Sequence, residues 1–168
     1  MTTQRSRTQL KRAAIAGCIV CIACAESPSA TITESPLPRV EAGLVLSDSA
    51  PRPGDSLTVF VKATVESPSV VGSFTAQIAY DATSLRYEGE AAGASDGLRA
   101  SNAVPGKVRI AGAAADGFVG GELGAYRFTV LERGGAKSIT LSIDELHLAT
   151  RLDVRNQLTL APIRVIGR

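Results

Sequence analysis

Apolar and polar side chains alternate along most of this chain, and a period of two fits extended strands with one side in a core and the other in water. From residue 57 to 66, Leu57, Val59, Val61, Ala63 and Val65 share one side, while Thr58, Lys62, Thr64 and Glu66 share the other and Phe60 interrupts the polar set. Phe74, Ala76, Ile78 and Tyr80 alternate with Ser73, Thr75, Gln77 and Ala79. The same rhythm runs through residues 107–110, 126–130 and 139–144. Turn formers punctuate it at 51–55, 81–84, 93–97, 105–106, 116–117, 120–121 and 133–135. No helical period of useful length intervenes. The pattern predicts an all-β fold, a two-sheet β-sandwich of about eight or nine strands. Residues 91–103 have room for one helical turn, and residues 111–118 form an alanine-rich connection without a readable period.

The first 25 residues stand apart and read as an export signal. Arg5, Arg7, Lys11 and Arg12 form a basic start, and an uncharged stretch of 13 residues follows from 13 to 25. That is too short for a membrane span of about 20 residues. All three cysteines, Cys18, Cys21 and Cys24, fall inside it, so the rest of the chain has no thiol to form a disulfide. Two processing routes fit: cleavage after Ala25, or lipid attachment at a cysteine, with Cys24 placed ahead of Cys18. The expected locations are periplasmic, cell-surface or outer-membrane lipoprotein, or secreted, with membrane contact only through such a lipid anchor. Residues 26–38 are rich in Pro, Ser and Thr and read as an extended tether. Residues 39–168 have the length of one domain.

Removing the leader changes the charge. Four of the 18 Lys and Arg leave with it and all 16 Asp and Glu stay, so the remainder carries 14 minus 16, or −2. Nothing supports a nucleic-acid partner. Catalysis lacks a residue set as well. His147 is the single histidine, with no Gly-x-Ser-x-Gly elbow or thiol to work with. Asp144 and Glu145 are adjacent, and in a regular strand adjacent side chains point to opposite faces, so they are not expected to flank one bond. Asp55, Asp81, Asp96 and Asp116 sit in turns, where Asp commonly bonds nearby backbone. No Asp-rich calcium loop occurs, and no metal or cofactor is expected.

The order of the strands resembles the cohesin family. Pro53-Gly-Asp55 is similar to its opening turn, and residues 72–81, ending Tyr80-Asp81 before Leu85, to its central strand. Residues 107–110 look like the next core strand, 121–130 like its glycine-led strand, 139–148 like the late hairpin and 158–166 like the closing strand. The resemblance covers nearly all of residues 39–168. It implies a nine-stranded jelly-roll that does not catalyse but docks a dockerin-like protein, in polysaccharide degradation or cell-surface assembly; calcium in such pairs belongs to the dockerin. It also implies that docking uses the outer side of the sheet containing the central strand, here Ser73, Thr75 and Gln77, joined by Arg109 and Arg127. Family members often carry Asn and Asp where Ser73 and Thr75 stand, so fewer charge-assisted hydrogen bonds are available there.

Two other readings belong beside it. Carbohydrate binding usually needs exposed aromatic platforms; there is no Trp, and with Tyr80 and Tyr126 on core positions, Tyr87 and Phe60 are the candidates for contact with polysaccharide. A structural or adhesive envelope module with a self-associating sheet edge is the other.

Overall fold

The computed structural model describes residues 36–92 and 97–166. The leader with Cys24, and the tether up to residue 35, lie outside the described residues. Ten strands follow in order: β1 (Val40–Leu46), β2 (Ser56–Val65), β3 (Val71–Ala79), β4 (Leu85–Glu90), β5 (Leu98–Val104), β6 (Lys107–Ala113), β7 (Glu122–Val130), β8 (Thr140–Leu148), β9 (Leu158–Leu160) and β10 (Arg164–Val165). Among the described residues the only helical pieces are three 3-10 turns.

The strands form two sheets. The larger has the order β10-β1-β2-β7-β4, with β9 also on β1, and the smaller the order β5-β6-β3-β8. Residues 98–104, which overlap the stretch 91–103 given room for a helical turn, are strand β5, and 93–96 of that stretch lie outside the described residues. One expectation needs correction. The closing segment 158–166 is two short strands and not one, both parallel to β1. Pro162 lies between them and has no N–H to donate to a ladder.

Alternation decides which side chains meet between the sheets. Leu57, Val59 and Val61 of β2 and Tyr126, Phe128 and Val130 of β7 face Phe74, Ala76 and Ile78 of β3 and Val108 and Ile110 of β6, all essentially inaccessible. Tyr80 and Phe128 meet edge to face, with ring centres 5.2 Å apart. Burying a side chain of this size contributes about 2–3 kcal/mol.

The side where β4 and β5 face each other is closed by polar groups. Tyr87 Oη donates to Ser101 Oγ at 3.1 Å. Arg99 points inward, its side chain only 8% exposed. Its Nε donates to the Leu123 carbonyl at 2.8 Å, and the guanidinium lies 5.4 Å from the Phe118 ring centre.

Nearby, the Tyr126 hydroxyl is buried without a hydrogen-bond partner. Burial pushes its pKa up, and the charge of Glu90 adds to the effect. A buried hydroxyl without a partner has lost its water for nothing in return. Tyr126→Phe is therefore expected to leave stability unchanged or raise it by up to about 1 kcal/mol in urea denaturation. A clear loss would mean that the hydroxyl is bonded in solution.

Candidate functional site

The outer face of the smaller sheet is built in rows by its registers. Asn102, Arg109, Gln77 and Ser142 make one row, from β5 to β8. Ala100, Ala111, Thr75 and Glu145 make the next, and Leu98, Ala113, Ser73 and His147 the third. Ser73, Thr75, Gln77 and Arg109 thus share one face, because all four alternate with buried residues of β3 and β6.

Arg127 does not belong with them. It lies on β7, opposite Thr58 of β2, in the larger sheet. Period two separates inside from outside, but both sheets have a wet outside. On its own face Arg127 neighbours Glu88, whose carboxylate accepts from Thr129 Oγ1 at 2.7 Å and from Arg86 Nε at 2.8 Å. These bonds, Thr129's first, hold the Glu88 carboxyl below its usual range.

A bulge changes the expected geometry of the acids. Thr75 pairs with Glu145 but Ala76 pairs with Ile143, so Asp144 is the extra residue. Asp144 and Glu145 therefore both reach the outer face, contrary to the alternation expected of a regular strand. Thr75 Oγ1 donates to Glu145 Oε2 at 3.2 Å, and Arg109 Nη2 reaches across β3 to Asp144 Oδ2 at 3.5 Å. Both members of the second pair are well exposed, which limits its worth to under about 1 kcal/mol. Beside this polar band lies a shallow depression of about 350 Å³ lined by small residues, among them Ala100, Ala111 and Ala113, with Leu98 at its rim. Leu98 is 82% exposed, the most of any large apolar side chain described.

Tyr87 is not a platform. Its ring turns inward against Phe128, with centres 5.5 Å apart, and its hydroxyl is held by Ser101. It follows Leu85 by two positions, and Leu85 is buried. Phe60 is half-buried on the outer face of the larger sheet, between Val45 and Ala125. His147 pairs with Ser73 and bridges to Asp153. Among the described residues no group of three His, Cys, Asp or Glu is placed to hold a metal ion. Nor is any helix among them long and apolar enough to cross a membrane.

A family model described as the cohesin domain matches residues 43–151. The chain belongs to the cohesin family. Members of this family are non-catalytic binding modules. Solved cohesins share its fold at low identity. One is the sixth cohesin of scaffoldin B from Acetivibrio cellulolyticus, solved with a dockerin: 18% identity, 74% of this chain and 97% of that one, TM-score 0.54. Another is the non-cellulosomal cohesin of the archaeon Archaeoglobus fulgidus: 19% identity, 79% and 93% covered, TM-score 0.51. A third is a type II cohesin from Bacteroides cellulosolvens: 11% identity, 74% and 99% covered, TM-score 0.54. At these identities the likeness concerns the fold. No curated protein matches the chain.

Proposed function

We propose that this cohesin is a non-catalytic, exported docking module that captures a dockerin-like protein through the outer face of its smaller sheet. The observation that carries this reading is the pairing of an exposed Leu98 and a trough of small side chains with a polar band of Thr75, Gln77 and Arg109 on one open face. Apolar contact surrounded by polar groups is the usual make-up of a protein interface. The outer face of the larger sheet offers less, since Glu88, Arg86 and Thr129 already satisfy one another there and Arg164 is tied to Glu41 at 2.9 Å. Export rests on residues 1–25, with Cys24 lipidated or the signal cleaved after Ala25. A sugar-binding role loses its main support with the inward turn of Tyr87.

The test begins with a pull-down of dockerin-like partners from secreted proteins of the same organism, followed by affinity measurement. Arg109→Glu is expected to weaken capture about tenfold, the effect of losing about 1.4 kcal/mol at the face. Arg127→Glu, on the opposite sheet, should leave affinity unchanged. Both residues are exposed, so neither change should move the thermal midpoint appreciably. Equal weakening by the two variants would remove the assignment of the face.

A further inference from the structure

Sheet edges are pairing sites unless something blunts them, and three of the four edges here are blunted. On the larger sheet, one end is made of β9 and β10, three and two residues long with Pro162 between them. The other end is β4, which is bulged between Tyr87 and Gly89. On the smaller sheet the far side of β8 is covered at its end, where Leu148 N–H donates to Leu152 O, Val154 N–H donates to Leu146 O and His147 bridges Asp153, and the strand before that is bulged at Asp144 and carries the charges of Asp144 and Glu145. The fourth edge is β5. It has seven residues, no proline, no lysine and an unbroken register with β6. Among the described residues no strand pairs with its other side.

We propose that this free edge pairs with the same edge of a second copy of the chain, joining two smaller sheets into one eight-stranded sheet. The hairpin fixes the register. Val104 and Lys107 flank the two-residue turn Pro105-Gly106 and pair with each other. Residues flanking such a turn exchange both backbone bonds, so 104, 102, 100 and 98 direct their N–H and C=O groups to β6. Residues 99, 101 and 103 direct theirs outward. An antiparallel second copy with the two-fold axis at Ser101 then pairs 101 with 101 and 99 with 103, giving about six backbone hydrogen bonds.

The side chains fit the same register. On the outer face Leu98 meets Val104 of the second copy and Ala100 meets Asn102, at the positions where side chains approach most closely. Leu98 and Val104 are 82% and 55% exposed, so the pairing covers two apolar side chains at each end. No charge on the outer side of β5 opposes it; Lys107 and Arg109 lie one strand back. Arg99, the one charge in β5, is engaged inside its own sandwich with Leu123 and Phe118. The contact is isologous and closes on itself. A strand of this length spans about 24 Å, so the dimer is a weak one that forms with concentration. It leaves Ser73, Thr75, Gln77 and Arg109 open but covers Leu98, so a second copy and a docked partner compete for that one side chain of the face.

The test is sedimentation of the exported chain from about 5 µM to about 500 µM, a range bracketing a weak interface. The parent should move from monomer to dimer. Leu98→Lys combined with Val104→Lys places like charges opposite each other and should weaken association at least tenfold. Leu98→Lys combined with Val104→Glu places opposite charges in contact only in this register, and should restore the dimer at low salt. Both positions are exposed, and circular dichroism confirms that each variant is folded. A parent that stays monomeric throughout, a dimer that survives the double-lysine change, or a Lys/Glu pair that stays as weak as the double-lysine chain would each overturn the proposal.

Discussion

Gly121→Ala is expected to destabilise the domain by about 3 kcal/mol or more, while Gly134→Ala costs about 1 kcal/mol. The two glycines have nearly the same backbone, with φ of +72° and +84°, so the conformational penalty of a side chain is similar at both. Their surroundings differ. A Cβ at Gly134 meets nothing within 4 Å, whereas one at Gly121 runs into the Ala63 carbonyl oxygen and lies 3.2 Å from the carbon of that group. Ala63 belongs to β2, which is held between β1 and β7, so it has nowhere to go. Gly121 leads directly into β7, and retreat on its side would disturb the Lys62–Glu122 pairing. For a domain of this size the larger loss corresponds to a fall in the thermal midpoint on the order of 10 °C. Urea denaturation of both variants is the check. Equal losses would mean that the close approach to Ala63 is not present in solution.

The strands that alternate cleanly were legible because each has one wet and one dry side. The alternation of β3 spans residues 73–80 in the sequence and the strand runs Val71–Ala79, an offset of one or two positions at the ends. β5 was not legible for a physical reason. It lies at an edge, and six of its seven residues are exposed, so Leu98-Arg-Ala-Ser-Asn-Ala-Val104 shows no alternation to detect. β1 does alternate, with Val40, Ala42, Leu44 and Leu46 buried, but it lies between the proline-rich stretch 26–38 and the turn formers at 51–55, so its period of two is flanked by segments that show none.

The candidate site was legible to the same depth. Ser73, Thr75 and Gln77 sit together because they alternate with buried residues on one strand, and Arg109 joins them because β6 is the neighbour of β3. Arg127 failed because period two carries no information about which of two sheets a strand enters. The bulge at Asp144 did leave a trace. Ile143 and Leu146 are both buried but three positions apart, where a regular strand would space them by two or four. That spacing is the signal that Asp144 and Glu145 share a face. Arg99 left no trace, since an arginine in a strand is ordinarily assigned to the wet side.

Arg99→Ala is the second large loss expected, about 2–4 kcal/mol, because removing one partner of a buried charged hydrogen bond strands the other. The side chain ties β5 to the larger sheet and to the segment that leads into β7. It gives a bond to the Leu123 carbonyl, lies over the Phe118 ring, and stands 3.8 Å from Glu90 across the gap between β5 and β4. Arg99→Met separates these contributions, since it keeps an apolar stem against Phe118 but offers no donor to Leu123. Its loss should be about half that of alanine if packing and hydrogen bonding contribute comparably. The two variants should also free β5. With Tyr87 and Ser101 left as the remaining described link to β4, amide exchange along Leu98–Val104 should accelerate more than in β3 or β7. A strand less firmly held is a poorer template for a second copy, so self-association should weaken with it. An alanine variant as stable as the parent would mean that the guanidinium is solvated and the two sheets close without it.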